Sequence, residues 1–126
     1  MGRPAGSRSA QPLTPAMFHI LLALAAGERH GYAIMREVED LTGGARRLGP
    51  GSLYGSIKRM LAEGLIEECG ERPDLATDDE RRRYYRLTDR GRRAAGAEAR
   101  RLEALVRAAR SRRLLGQPIP GSQGGA

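Results

Sequence analysis

Between residues 50 and 64 the apolar positions recur with a helical period. Leu53, Ile57, Met60 and Leu61 fall on one stripe of a helical wheel, and Gly51, Ser52, Gly55, Lys58, Arg59 and Ala62 fall on the other. The stretch predicts a helix of about three and a half turns. Pro50 suits its first turn, where the missing N–H costs nothing, and Gly64 offers the residue that can leave it with positive φ. One side is core, and the other is small residues and two cations. Such a surface can approach a polyanion closely, because Gly and Ser bring the backbone near phosphates that Lys and Arg neutralise. An ordinary solvated helix face looks much the same, so the neighbouring segments have to decide.

Upstream, Thr14 and Pro15 read as the cap and first residue of a helix with the stripe Met17, Ile20, Leu21 and Leu24. Phe18, Leu22 and Ala25 fill much of the remaining circumference. A helix apolar on nearly all sides needs cover on more than one of them, which predicts that Phe18 and Leu22 face a second copy of the chain. His19 reads as a boundary histidine, with no second ligand at metal spacing. The run GERHG at 27–31 breaks the pattern, and a second helix is expected over 30–42 with Ile34, Val38 and Leu41 inward. Thr42-Gly43-Gly44 stops it, and Arg46 and Arg47 lie in the connection to the helix at 50–62. Two short helices joined by a Gly-containing turn, the second with a small basic face, form a helix-turn-helix candidate.

After Gly64 a short strand is expected over 65–70 and another, with two tyrosines, over 83–88. The polar stretch between them reads as a long loop in which Asp78, Asp79 and Glu80 precede Arg81, Arg82 and Arg83. A hairpin directly after a recognition helix is a wing whose arginines can reach phosphates or the minor groove. The plainer reading pairs those arginines with the acids. Thr88 then caps a last helix, with Asp89 at its positive end, running to about residue 115. Gly91, Ala94, Ala95, Glu98, Leu102, Leu105, Val106 and Ala109 make one narrow stripe on it between arginine-rich faces. That stripe predicts a seam against a partner helix, closed by Leu102, Leu105, Val106 and Ala109. Residues 1–12 and 116–126, rich in Gly, Ser and Pro, are expected to be disordered tails.

The fold class that follows is mainly α with a small β-hairpin: a winged helix-turn-helix over 13–88 and a dimerisation helix over 89–115. Composition agrees with it. A chain of 126 residues suits one small domain, and with no Trp, one Phe and four Tyr its core is modest, which favours association into a homodimer. The net charge of +7 makes nucleic acid or an anionic surface a natural partner. No run of 18 apolar residues exists to span a bilayer, and the basic N-terminus has no apolar core of a secretory signal, so cytoplasmic residence is expected. The single Cys69 has no partner for an internal disulfide. With no Gly-rich phosphate loop and no carboxylate–histidine constellation, an enzyme is not expected, nor a metal or cofactor.

Three stretches carry a sharper resemblance. HGYAIMREVEDLTGG at 30–44, GSLYGSIKRMLAEGLIEE at 51–68 and RRRYYRLTDRG at 81–91 resemble, in that order and spacing, the PadR family of bacterial transcriptional regulators. The likeness covers roughly 13–106, and Gly55 stands where family members often have Pro. It implies a winged helix-turn-helix, a C-terminal dimerisation helix, and repression from an inverted-repeat operator on double-stranded DNA. Carried over residue by residue, the DNA contacts fall on Ser52, Tyr54 and Lys58 and on the wing at Arg81, Arg82 and Arg83; the small and basic residues of the same helix face, Gly51, Gly55 and Arg59, complete the expected DNA-binding set. In many members an aromatic or cationic small molecule relieves repression. In the shorter branch of the family, which this chain resembles, such ligands stack on a Trp of the last helix, and this chain has no Trp. Met17 and Phe18 offer an apolar lining for a pocket, with a core role for both as the favoured reading and a different ligand or none as the outcome. Two other readings stay open: a helical protein-interaction module, and a sequence-independent DNA-binding protein.

Overall fold

A computed structural model describes residues 13–74 and 77–116, the side chains of 71–82 excepted. The expected tails at 1–12 and 117–126 lie outside these residues. Helix α1 (Pro15–Ala25) starts where Thr14, in extended conformation, accepts the Met17 N–H on its Oγ1 at 3.1 Å, and Pro15 takes the first helical position. Met17, Ile20, Leu21, Ala23 and Leu24 turn inward and form one wall of the core.

The GERHG break holds more structure than the pattern predicts. Arg29 and His30 form a short strand, β1 (Arg29–His30), and His30 then caps helix α2 (Gly31–Leu41), its Nδ1 accepting the Ala33 N–H at 3.2 Å. Helix α2 buries Ile34 and Val38, but Leu41, expected beside them, is exposed because the helix ends before that turn can be covered. Thr42 closes α2. Its Oγ1 donates to the Val38 carbonyl at 2.9 Å and accepts the Arg46 N–H at 3.0 Å, and the chain turns through Gly43 and Gly44 at positive φ. Helix α3 (Pro50–Ala62) follows.

Strands β2 (Ile66–Asp74) and β3 (Thr77–Leu87) pair antiparallel, and β1 joins the far edge of β3, giving the order β1-β3-β2. The sheet therefore has three strands where a two-stranded hairpin was expected. The polar stretch expected as a loop is largely strand, since backbone pairing runs from Ile66↔Leu87 to Asp74↔Thr77. The register slips between Glu68 and Gly70, where β2 advances two residues against one on β3, leaving Cys69 as the extra residue of a bulge; Gly70 beside it has φ +125°. Tyr85, Leu65 and Ile66 bring the sheet into the same core as the three helices.

Helix α4 (Asp89–Ser111) begins at Thr88, whose Oγ1 accepts the Gly91 N–H at 3.0 Å and donates to the Gly64 carbonyl at 2.6 Å. It stops about four residues short of the expected end. Arg113 takes φ +63°, and the Arg113 and Leu114 N–H groups bond back to the Arg110 and Ala109 carbonyls, which closes the helix in the left-handed manner usually given to Gly. Two compact units result, one reaching to Ala95 and the other starting at Gly96. In the first, Ala94 and Ala95 pack against the core. In the second, the helix is held by its own pairs, such as Arg101 Nε on Glu98 at 3.0 Å, and Leu105 and Val106 are exposed.

Gly91 is buried against the backbone of Leu65, so closely that a methyl group there would overlap the Leu65 carbonyl. Replacing Gly91 by Ala is expected to destabilise the protein by about 1–3 kcal/mol through overpacking, measured by urea denaturation. A gain in stability, which helix propensity alone would give, would show that α4 does not pack there.

Candidate nucleic-acid interface

Helix α3 owes its orientation to one apolar line. Leu53, Ile57 and Met60, spaced i, i+4, i+7, are essentially fully buried. Leu61, expected on the same stripe, lies a further 100° around and is 37% exposed, so the buried face is narrower than the wheel suggests. The helix starts at Gly49, whose carbonyl accepts the Leu53 N–H at 2.9 Å. It ends in paired bonds from the Leu65 N–H to the Met60 carbonyl and from Gly64 to Leu61, with Gly64 at φ +74°.

The opposite face presents Gly51, Ser52, Gly55, Lys58 and Ala62 to solvent. A methyl group on Gly51 or Gly55 would meet nothing within 4 Å, so the packing of the chain does not require glycine at either position. In a helix interior such a residue costs about 0.5–1 kcal/mol relative to Ala. Lys58 makes no hydrogen bond or ion pair among the described residues. Arg59 is only half-exposed, and its Nε donates to Glu63 one turn on at 2.8 Å.

Tyr54 is 50% exposed and leans across to the start of α2, where its hydroxyl occupies the space that a Cβ on Gly31 would need. The resemblance puts Tyr54 among the DNA contacts; the structure turns its hydroxyl towards Gly31. Behind it, Tyr85 is held above the ordinary tyrosine range by burial first and then by Glu68 and Tyr54. On the hairpin, Arg83 is exposed and lies 3.6 Å from Glu68, while Arg86 donates to Glu67 at 2.7 Å. Arg81 and Arg82 are opposite Pro73 and Arg72 in the backbone register, and their side chains lie outside the described residues. The structure thus brings the α3 face and Tyr54 together with the start of α2.

The remaining expected site residues are scattered. Phe18 is half-buried and Leu22 exposed on α1; Leu102 and Ala109 are half-buried on α4. Met17, offered both as core and as lining for an effector pocket, is 1% exposed and belongs to the core, because it sits on the inward line of α1 with Ile20, Leu21 and Leu24. His19 holds an unsatisfied polar atom. Its Nδ1 is buried with no hydrogen-bond partner, and burial first, then the positive charge of Arg46, holds its pKa below the ordinary value of 6.5.

A three-helix core with a three-stranded sheet, an outward small-residue helix and a paired hairpin is the arrangement of a winged helix. Residues 20–97 match the family model described as the transcriptional regulator PadR-like family. The chain belongs to the PadR-like family of transcriptional regulators. It is 36% identical over 89 residues to the transcriptional regulator Rv3488 of Mycobacterium tuberculosis, which is 71% of this chain and 77% of that one. It is 41% identical over 80 residues to an uncharacterised 37.1 kDa transposon protein of Streptomyces fradiae, a match to 64% of this chain and 21% of that protein. The chain thus spans about a fifth of the length of that relative. A PadR family regulator of Clostridium difficile superposes with a TM-score of 0.65 at 21% identity, over 78% of this chain and 97% of that one. Bacillus subtilis PadR, solved in complex with operator DNA, superposes with a TM-score of 0.57 at 23% identity, over 87% of this chain and 52% of that one. At such identities the likeness speaks to the fold. Among the described residues of this PadR-like chain, no helix is long and apolar enough to cross a membrane.

The half-buried His19 gives the fold a pH dependence with a definite sign. A folded pKa below the unfolded one makes the unfolded chain bind the proton more readily, so this contribution is complete above about pH 6.5 and is lost as the pH falls below it. Urea denaturation at about pH 7.5 and about pH 5.5 is expected to show lower stability in acid, with a slope no steeper than about 1.4 kcal/mol per pH unit from this one proton. His19→Phe should flatten the profile; an unchanged profile would place the proton uptake elsewhere.

Proposed function

We propose that this chain is a DNA-binding regulator that represses transcription as a homodimer from an inverted-repeat operator in the cytoplasm. The observation that carries the reading is the outer face of α3. Gly51 and Gly55 stand in a helix without any packing reason for their small size, beside a Lys58 that pairs with nothing among the described residues. A face that gives up helix stability for closeness and keeps a cation unpaired is suited to a dense anionic surface. A fold-mate, Bacillus subtilis PadR, was solved with operator DNA, which supports the same partner here.

The homodimer is supported by α4. Leu105 and Val106 are exposed on an apolar stripe too narrow for a globule and fit for a seam with a second copy. Two copies related by a two-fold axis present two α3 faces to half-sites about one helical turn apart. Release by an aromatic or cationic small molecule belongs to the same reading, with Phe18 rather than Met17 beside its pocket.

Fluorescence anisotropy on a duplex carrying the chain's own promoter region and on a random duplex tests the reading. Salt-sensitive binding with preference for the promoter is expected. Equal affinity for both would make it a sequence-independent DNA-binding protein, and binding to neither an interaction module. Lys58→Ala should weaken promoter binding by on the order of tenfold with an unchanged circular dichroism spectrum. For the seam, Leu102→Glu combined with Leu105→Glu is expected to convert a dimer to a monomer in sedimentation velocity, since charge would be buried against charge at a cost of several kcal/mol, on the order of that for unpaired buried ions. A persistent dimer would move the interface off α4.

A further inference from the structure

We infer that Lys58 reads a guanine, so that each operator half-site carries a G·C pair recognised through the O6 and N7 edge of its guanine. The assignment rests on the DNA-binding reading above and adds to it the base and the atoms that select it. Gly51, Gly55, Lys58 and Ala62 are spaced i, i+4, i+7, i+11 along α3 and fall on one exposed line. That line lies opposite the buried Leu53, Ile57 and Met60, so it is the part of the helix farthest from the core. Its glycines and alanine end at a hydrogen or a methyl group. Lys58 is therefore the single long side chain on the outermost line, with Gly55 one turn before it and Ala62 one turn after.

Position decides between phosphate and base. A helix lying in the major groove, about 12 Å wide and about 8.5 Å deep, meets phosphates with its flanks and base edges with its outermost line. On the flanks, the large neighbours of Lys58 are engaged within the fold: Arg59 donates to Glu63 at 2.8 Å, and Tyr54 leans to Gly31 at the start of α2. Lys58 makes no hydrogen bond or ion pair among the described residues, so its ammonium can reach outward. Chemistry then selects the base. An ammonium is a donor only. Guanine offers it two adjacent acceptors, whereas adenine sets an amino donor beside its acceptor, cytosine offers a donor, and thymine sets a methyl group beside its oxygen. Between Pro50 and Ala62 there is no Asn, Gln, Asp or Glu, so α3 carries none of the side chains that pair with adenine or cytosine edges. The glycines gain a role here. Without Cβ atoms at Gly51 and Gly55, the backbone can sink until the four-carbon stem of Lys58 spans the remaining distance to the floor of the groove.

Phosphate contacts and base contacts leave different signatures. Selection from a pool of random duplexes yields the sites that the full chain prefers, and each guanine in them is then replaced singly by 7-deazaguanine, which lacks the N7 acceptor. Anisotropy titrations of wild type and Lys58→Ala on the plain and modified duplexes complete the cycle. One guanine in each half-site is expected to weaken wild type on the order of tenfold when replaced, and to leave Lys58→Ala unaffected. Lys58→Ala should lose a similar factor on the plain selected site while binding a random duplex nearly as wild type does. Lys58 is exposed, and an unchanged thermal melt confirms that the variant is folded. The inference is overturned if no replacement weakens wild type, or if a replacement weakens both proteins equally. It is also overturned if Lys58→Ala weakens selected and random duplexes by the same factor, the mark of a phosphate contact. In those cases wild type still binds its selected sites and the DNA-binding reading stands; a pool from which wild type enriches nothing removes that reading as well.

Discussion

The structure hangs on a junction a few atoms wide at Leu65. The Leu65 N–H closes α3 by bonding to the Met60 carbonyl, and its own carbonyl accepts the Thr88 N–H at 3.2 Å. Gly91 packs on that same carbonyl, and Thr88 Oγ1 ties to Gly64 next door. The end of α3, the base of the hairpin and the start of α4 are thereby fixed to the backbone of one residue. Because interiors of this density deform little, the outward face of α3 inherits its direction from this junction and from the Leu53, Ile57 and Met60 line behind it. The outward side chains of α3 take no part in the core, so substitutions on that outer face and in the junction should separate cleanly into effects on binding and effects on folding.

That outer face illustrates how far the chain departs from a stability optimum. Alanine at Gly55 would suit the helix better and would meet no neighbour. Local rules broken without any return within the fold are commonest where a molecule meets something else. The same logic separates the arginines. Arg59, Arg83 and Arg86 have carboxylates at 2.8, 3.6 and 2.7 Å, whereas Lys58 has none among the described residues. A high basic count therefore overstates the charge on offer; an unpaired cation on the outer face of α3 matters more than the total.

Much of this was legible in the amino-acid pattern. The helices announced themselves by apolar period and by Thr14, Pro15, Pro50, Gly64 and Thr88 at their ends, all of which act as expected. The third strand was not legible, because two residues, Arg29 and His30, are too few to show alternation and are recruited by pairing with Tyr85 and Tyr84. The outer half of the hairpin read as loop because its strands carry charges on both faces, and nothing in a charged stretch distinguishes backbone pairing from solvation. A helical wheel gives the direction of a buried stripe but not its width, which depends on neighbours; Leu41 and Leu61 were lost there. The glycines of the candidate site were visible. The aim of Tyr54 was not, since it depends on an empty space at Gly31, more than twenty residues away.

The bulge at Cys69 has a consequence of its own. Side chains along a strand alternate between faces, so one supernumerary residue reverses the phase of everything beyond it relative to the opposite strand and sharpens the local twist. The inner half of the hairpin keeps Ile66 against the core, and the backbone beyond the bulge sets out in a new direction. Lengthening the ribbon by pairs of residues past Gly70 changes its reach and preserves its facing; altering the bulge changes its facing and preserves its reach. Descendants of this chain can tune extension and orientation of that arm independently.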